Sequence, residues 1–381
     1  MNLVWWSLPG PDRFVSEIED SLRHGRNAVV LLPKYCPEGL SVAVRAKLAD
    51  SDWTFSTFVP PSDELPPLRK LADRFLDDTS RQLVSTPNDL LNEDSFLGKI
   101  IWSEVSQLNG SLNWVPFISS YQAACKQRSP MKRSMICLCL SSHLTDVLPQ
   151  ADTCLDVFRW NDYVHPLDML LYTSLKVEDQ FQSDLHRAVG INVIAKLAMW
   201  DPLVVDCLSS KSLEEILDPG KTFEVMASDR NWLTPGLGNS FTNWASGKTH
   251  LFQEKEERHS AILSVHGPKD LLDHRMWSAQ VGVIFPFIEE CRRSMINGGR
   301  LNSLVPFQTD EKKVYSDVRD MEIGLIAQAF QRTRNFFDPE LKKLAYRLRD
   351  MRNDLAHLEG VKTKHLMSME VQEYRRILDA S

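Results

Sequence analysis

The sequence lacks the paired cysteines of a disulfide framework or a zinc site. Its seven cysteines are odd in number and scattered over 381 residues. No two of them form a CxxC pair, and no Cys/His cluster has the spacing of zinc ligands. We therefore expect reduced, mostly buried thiols in a cytoplasmic protein, with no metal and no other cofactor.

The sequence also lacks an apolar run long enough to cross a bilayer. Residues 1–6 have neither a basic region nor a long apolar core, so they do not predict a secretion signal. The formal net charge of −7 is opposite in sign to that of proteins that coat nucleic acid. An enzyme with a small, locally basic RNA site remains compatible with this charge, and no membrane partner is expected.

The first part of the chain has the pattern of an α/β domain. Apolar or β-rich runs typical of strands lie at residues 27–33, 53–59, 135–140 and 154–160. Helical segments are expected at residues 11–22, 40–49, 68–75, 96–105 and 114–125. Because strands alternate with helices, residues 1–175 are predicted to form a layered domain with a parallel sheet.

The remainder is predicted to be all-α, with a helical and linker region at 176–260 and a helical bundle at 261–381. Helical spacing occurs at residues 168–174, 180–200, 213–217, 271–295, 321–333 and 367–378. Residues 218–248, rich in Gly, Pro, Asn and Ser, predict an exposed loop or linker. The charged run 254–258 is most simply a solvated helix surface.

One further helix carries the residues of most chemical interest. Asp338 fits its N-cap, Pro339 its first position and Gly360 its end. The helix is strongly basic in an acidic protein, so its field would attract an RNA phosphate. We predict that RNA is bound by Lys342, Lys343, Arg347 and Arg349.

Two residues near the end of this helix have the chemistry that metal-independent RNA cleavage needs. Histidine suits the proton transfers, because its pKa lies near neutrality. Arginine suits the phosphate, because its planar fork donates two charge-assisted hydrogen bonds. Positions five apart on a helix lie roughly 140° apart around its axis, so Arg352 and His357 do not share a face, whereas Asn353 and His357 do. Arg352 reaches round, the helix distorts, or a second chain completes the site.

The run RNDLAH at residues 352–357 resembles the RX4–6H motif of HEPN domains, in the form with a polar residue directly after the arginine. Its place, late in a helical bundle and followed by one more helix, also resembles that family. The resemblance covers roughly the last third of the chain and implies a dimer in which two motifs meet. It implies that Arg352 and His357 are catalytic and that Asn353 supports them. HEPN toxins paired with a nucleotidyltransferase carry a tyrosine where this chain has Glu359, so the match to that subclass fails.

The same loose expression also fits residues 159–165, RWNDYVH. That stretch ends a predicted strand and runs into Pro166, so it lacks the helical setting and is interpreted as structural. For residues 352–357 the alternative is a solvated basic helix with His357 near its carboxyl end, where the helix dipole favours a positive charge.

The strand–loop–helix order of residues 27–49 resembles a P-loop ATPase core stripped of catalysis. Residues 34–41, KYCPEGLS, can be laid over GxxxxGK[ST], with Gly39 and Ser41 as matches. Lys34 replaces the first glycine, and Leu40 replaces the lysine that would reach the β- and γ-phosphates.

Two further departures weaken this loop. Pro37 removes a backbone N–H from a loop that works through such donors. The strand at 135–140, the natural Walker B candidate, ends in Ser141-Ser142 without an acidic residue. We expect no ATPase activity, and an unrelated α/β domain is the alternative.

These features support three functions. The first is an endoribonuclease effector of a prokaryotic defence system, which cleaves RNA through Arg352 and His357 in a homodimer and works with other defence proteins. This defence role rests on resemblance of architecture alone. The second is a non-catalytic scaffold or sensor subunit, with an inactive ATPase-like domain and a HEPN dimerisation module. The third is a regulator that still binds a nucleotide.

Overall fold

The computed structural model describes residues 3–61, 64–105, 111–141, 148–177, 181, 183–236, 238–333 and 338–379. The chain divides into two compact units. The sheet unit comprises Met1–Asp168, Trp200–Pro202 and Thr234–His259, and the helical unit comprises Met169–Met199, Leu203–Leu233 and Ser260–Ser381. Residues 176–260, expected as one helical and linker region, contribute to both units.

A parallel sheet forms the centre of the sheet unit, as the sequence predicts, and it has five strands, one more than expected. Its strands are β1 (Asn27–Leu32), β2 (Thr54–Phe58), β3 (Lys99–Val105), β4 (Met135–Ser141) and β5 (Leu155–Arg159). Their order is β2-β3-β4-β1-β5, and every neighbouring pair is parallel. The central position of β1 follows from its apolar run, since successive side chains point to opposite faces and nearly all are buried.

The helix expected at 96–105 is wrong, because residues 99–105 form β3. Its side chains Ile100, Ile101, Trp102 and Val105 are buried. Ladders to both β2 and β4 satisfy its backbone. A short apolar run has no period that separates a strand from a buried helix. Residues 99–105 therefore form a strand because they pair with strands on both sides.

The helices of the sheet unit surround this sheet. They are Leu3–Trp6, Pro9–Arg23, Leu40–Lys47, Pro67–Phe75, Asp78–Leu83, Pro87–Leu90, Ser111–Cys125 and Ser240–Ala245, with a 3-10 turn at Pro130–Lys132. One buried core cluster joins Val29, Ile101 and Leu138 of the strands to Leu71 and Ile118 of the helices. The sheet and its helices thus share one hydrophobic core.

Two local expectations for the middle of the chain are wrong. Residues 255–258 are a strand, Lys255–Arg258, in a hairpin with Thr249–Phe252, and not a helix surface. Gln253 and Glu254 between them have φ of 52° and 64°, as a two-residue turn of a tight hairpin requires. The stretch 218–248 is not a plain loop, because it contains the helices Gly220–Asp229 and Ser240–Ala245.

The helical unit is largely α-helical, as expected. Its helices, with Pro166–Lys176 and Pro202–Leu208 at the unit boundaries, are Asp184–Ala198, Leu213–Leu217, Gly220–Asp229, Ser260–His266, Lys269–Asn297, Ile323–Arg332, Pro339–Ala356, Thr363–Leu366, Met369–Gln372 and Tyr374–Asp379. Shorter elements are the 3-10 turns Asn302–Leu304 and Val318–Asp320 and the hairpin Phe307–Gln308 with Val314–Tyr315. The single final helix expected at 367–378 is wrong, since two short helices take its place. None of the helices in the described part of the chain is long and apolar enough to cross a membrane.

Two helices organise the helical unit. The long helix, Lys269–Asn297, packs against Asp184–Ala198 and against the motif helix, Pro339–Ala356. The motif helix buries a stripe at spacings of three and four residues, as predicted, formed by Leu341, Leu344, Leu348, Met351 and Leu355. This stripe fixes which side of the helix faces solvent.

Candidate functional site

The predicted catalytic residues lie at the carboxyl end of the motif helix. The helix begins as predicted, because Asp338 Oδ1 accepts a hydrogen bond from the Leu341 N–H at 2.9 Å. It ends at Ala356, and its C-cap His357 lies three residues before Gly360, where the sequence predicts the stop. Arg352 and Asn353 are half-buried, whereas His357 is exposed.

Arg352 is held by an acidic side chain from elsewhere in the unit. Its Nη2 donates to Glu322 Oε2 at 2.9 Å, and its Nη1 donates to Asn353 Oδ1 at 3.5 Å. Glu322 directly precedes the helix Ile323–Arg332. The side chains of Arg352 and Glu322 are 38% and 59% exposed, so water weakens the pair to about 1 kcal/mol or less. The guanidinium of Arg352 is therefore only weakly held by Glu322.

The hydrogen bonds and ion pairs of Arg352 among the described residues do not reach His357. The backbone N–H of His357 donates to the carbonyl oxygens of Asn353 and Asp354, at 3.1 and 3.2 Å. This bonding fixes the histidine backbone at the helix end and leaves its exposed imidazole toward solvent. One chain therefore supplies the predicted groups at one helix end without joining them.

Asp354, which sequence reasoning passed over, is the most constrained residue of the motif. It is 7% exposed, and its Oδ2 accepts hydrogen bonds from the Lys362 N–H at 3.2 Å and from His365 Nδ1 at 2.9 Å. Burial raises the pKa of this carboxyl, but the hydrogen bonds from Lys362 and His365 together lower it by more, so the pKa lies below its usual value. An acidic residue within a basic helix was the feature of the sequence that could have drawn attention to Asp354.

The four predicted RNA-binding residues differ in availability. Lys343 is exposed, and Lys342 is half-buried. Arg347 Nε lies 3.6 Å from Glu370 Oε2, and Arg349 Nη2 donates to Asp350 Oδ1 at 2.8 Å. The basic field expected from the sequence is thus partly cancelled by neighbouring carboxylates, and Lys343 is the most exposed of the four side chains.

The loop compared with a P-loop lies at the carboxyl edge of the sheet, where parallel α/β sheets bind ligands. It connects β1 to the helix Leu40–Lys47. Gly39 has a φ of 100°, which an L side chain rarely adopts. Gly39 and Ser41 both line a cavity of about 520 Å³. The loop thus has the position of a phosphate-binding loop.

The charges around this cavity do not suit a triphosphate. Glu38 and Glu104 line it, and no Lys or Arg does so among the described residues. Burial keeps the thiols of Cys36 and Cys139 neutral by raising their pKa. The helix that begins here contributes roughly half a positive charge, which two carboxylates outweigh.

An acidic residue, Glu104, lies on the strand next to the one on which the sequence argument looked for one. It lies on β3, beside β4, and its Oε1 accepts a hydrogen bond from Trp102 Nε1 at 3.2 Å. Ser141 ends β4, and Ser142 lies outside the described residues. Sequence reasoning missed Glu104 because it assigned residues 96–105 to a helix.

The second match to the loose motif, at residues 159–165, has no helical setting. Arg159 ends β5, and His165 precedes the helix Pro166–Lys176. The His165 N–H donates to Asp168 Oδ2 at 2.8 Å, which shapes the turn into that helix. Residues 159–165 thus connect β5 to the helix Pro166–Lys176.

Comparisons of this chain with protein-family models and with curated proteins found no match. Among the described residues, no group of three or more His, Cys, Asp or Glu side chains is placed to hold a metal ion. The chemistry of the motif helix and its surroundings is therefore the ground for a functional proposal.

Proposed function

We propose that the protein is a metal-independent endoribonuclease whose site is built from Arg352, Asn353 and His357. The observation that carries this proposal is the placement of a guanidinium, an amide and an imidazole at one end of one helix. All three are at least partly accessible to a large substrate. The exposed Lys343 lies on the same helix and adds a contact for the RNA backbone.

The proposed reaction is an internal transfer at phosphorus. A base removes the proton of the ribose 2′-hydroxyl, whose oxygen attacks the adjacent phosphorus. The bond from phosphorus to the 5′-oxygen breaks, and that oxygen takes up a proton. The products are a 2′,3′-cyclic phosphate and a 5′-hydroxyl. We assign the proton transfers to His357, because imidazole is the side chain that most often acts as general acid and base in catalysis.

Arg352 stabilises the charge that develops on the phosphate oxygens, and Asn353 orients the guanidinium. The hydrogen bond from Arg352 Nη1 to Asn353 Oδ1 supports the latter role. A guanidinium can donate two parallel hydrogen bonds to a phosphate, so it can exchange Glu322 for substrate without losing charge compensation.

A homodimer completes the proposed site. Arg352 and His357 lie five positions apart, roughly 140° around a helix axis, and no hydrogen bond joins their side chains among the described residues. A second copy would bring its His357 to the first copy's Arg352. We further propose that the enzyme is a defence effector in which the sheet unit docks on other defence proteins. The resemblance to HEPN proteins supports this role by analogy.

A second candidate function is a non-catalytic scaffold with the motif as a dimerisation surface. The Arg352–Glu322 ion pair favours it, because a neutralised guanidinium attracts phosphate less strongly. Under this proposal the motif helix contacts protein rather than RNA.

Purified full-length protein separates the two functions. Wild type, Arg352→Ala and His357→Ala are incubated with RNA in EDTA, and the ends of the products are identified. His24→Ala serves as the control, since the His24 side chain is 65% exposed. We expect wild type and control to produce cyclic phosphate ends and the two motif variants to be slower by about a hundredfold or more.

The RNA assay is repeated in cells during phage infection, so that a triggered activity is also detected. Equal RNA integrity in wild type and both motif variants, with and without infection, would contradict the ribonuclease proposal. If dimer formation in ultracentrifugation is nonetheless lost in the motif variants, the scaffold function is favoured.

A further inference from the structure

The segment that follows His357 is closed into a loop by the residue in the middle of the motif. The carbonyl oxygen of Asp354 accepts hydrogen bonds from the N–H groups of His357 and Glu359, at 3.2 and 3.1 Å. Its carboxylate accepts from the Lys362 N–H and pairs with the Lys362 ammonium at 3.3 Å. Both ends of the stretch 357–362 are thus tied to one residue.

His365 completes this tie from the next helix. Its Nδ1 donates to Asp354 Oδ2 at 2.9 Å, and both side chains are buried. His365 belongs to the short helix Thr363–Leu366, which packs against the motif helix. A hydrogen bond between a buried carboxylate and an imidazole is worth more than a neutral one, so this contact anchors the far side of the loop.

Two side chains of the long helix form hydrogen bonds to the backbone at the two ends of the same loop. Trp277 Nε1 donates to the Leu355 carbonyl oxygen at 2.8 Å, and Gln280 Oε1 accepts from the Val361 N–H at 2.6 Å. Gln280 and Val361 are 2% and 4% exposed. The first bond satisfies a carbonyl oxygen that the helix end otherwise leaves to water, and the second satisfies a buried backbone N–H.

The loop contains one residue in an unfavourable backbone conformation, and the hydrogen bonds described above stabilise it there. Leu358 has a φ of 61°, which disfavours an L residue by roughly 1–2 kcal/mol. A helix terminus without such bonds frays, and the residue at its C-cap moves with it. His357 occupies that C-cap, yet its backbone is fixed on both sides by Asp354.

We infer that Asp354 and His365 are positioning residues for His357, setting the direction in which its imidazole leaves the helix end. Neither residue contacts substrate in this arrangement, because both are buried. The inference rests on the proposed function only for its effect on RNA cleavage. The order of the His357 side chain is a property of the folded chain and can be measured separately.

The test compares His365→Asn with His365→Leu in the full-length protein. Asn places an amide N–H near the position of Nδ1 and can keep the bond to Asp354, whereas Leu cannot. Histidine is labelled with ¹³C and ¹⁵N, and the His357 signal among the ten histidines is assigned by its loss in His357→Gln. The pH titration of that signal and the values of kcat and KM for RNA are measured.

In His365→Leu we expect a broadened or doubled His357 signal with a changed titration. We also expect kcat to be lower by about tenfold to a hundredfold, with KM within about twofold of wild type. His365→Asn should keep a single His357 signal and kcat within about threefold. Asp354→Asn should resemble His365→Leu.

A His357 signal in His365→Leu that matches wild type in shape and titration would overturn the inference. An equal loss of kcat in His365→Asn and His365→Leu would also overturn it. If wild type cleaves no RNA, the proposed function fails, and the His357 signal alone decides the inference. Circular dichroism confirms that each variant is folded.

Discussion

Arg352 and Glu322 lie 30 positions apart in the sequence, yet Arg352 Nη2 donates to Glu322 Oε2 at 2.9 Å. Both side chains retain contact with solvent. The pair places a carboxylate where a phosphate oxygen would otherwise bind the guanidinium. Under the proposed function, Glu322 would therefore compete with RNA for Arg352, and the strength of this competition can be measured.

Glu322→Gln is expected to strengthen RNA binding and cleavage by about threefold to fivefold at low salt, because an exposed ion pair is worth about 1 kcal/mol or less. Added salt should shrink the gain, since screening weakens the pair already. Cleavage rates at two salt concentrations measure this. Glu340→Gln is the matched control: Glu340 is an exposed acid on the motif helix that pairs with Arg376, and its loss should have little effect. A slower Glu322→Gln enzyme would show that the glutamate aids the reaction.

Lys343→Ala is expected to weaken RNA binding and to lower the slope of log affinity against log salt by about one, because one phosphate contact is lost. Arg349→Ala should have a smaller effect, since its guanidinium is already paired with Asp350. Filter binding or fluorescence anisotropy over a salt series gives both slopes. Equal slopes for wild type and Lys343→Ala would place the RNA elsewhere.

The sheet unit is expected to lose stability in mild acid because of His250. Burial lowers the pKa of this histidine to about 3, from its ordinary value of 6.5. Its ring stacks on Trp200 with centroids 5.2 Å apart. The unfolded chain binds the proton first, so stability is complete above pH 6.5 and falls by up to about 1.4 kcal/mol per pH unit below it.

Urea unfolding of wild type and His250→Phe between pH 7 and pH 4.5 measures this effect. The variant should have a flatter dependence on pH, whatever its stability at pH 7. His24→Phe is the control, because the His24 side chain is 65% exposed. A pH dependence that is the same in wild type and His250→Phe would assign the acid sensitivity to other groups.

MgATP is expected to give no binding heat with the full-length protein. Glu38 and Glu104 line the cavity beside Gly39 and repel its phosphates. Titration calorimetry with MgATP, and with adenosine as the uncharged control, measures this. Heat that fits a Kd below about 100 µM for MgATP would return the cavity to nucleotide binding.

The sequence predicts the parallel sheet and the motif helix because each is encoded locally. The buried runs of β1 and β4 are continuous, and the apolar stripe of the motif helix has one clear period. The strand β3 was not predicted, because the run of residues 96–105 is too short to have a distinct period. Its pairing with β2 and β4 joins segments far apart in sequence.

Some residues of the candidate site can be predicted from local sequence, and others cannot. Arg352, Asn353 and His357 follow from a short motif, and the structure places them at one helix end. Glu322 and His365 cannot be predicted from that motif, because each reaches it through the packing of another segment. The hairpin strand Lys255–Arg258 was predicted as a helix surface, because charged residues suit an exposed strand as well as an exposed helix.

The two units are interleaved along the chain, so no single cut separates them. A fragment that starts at residue 261 would lack the helix Asp184–Ala198, which packs along the long helix that braces the Asp354 loop. A fragment that stops at residue 175 would lack the helix Ser240–Ala245 and its buried Trp244. Truncation is therefore a poor way to assign activity to either unit, and point variants in the intact chain are needed. Domain exchange in evolution meets the same barrier, since a recombination event at one site would leave both cores incomplete.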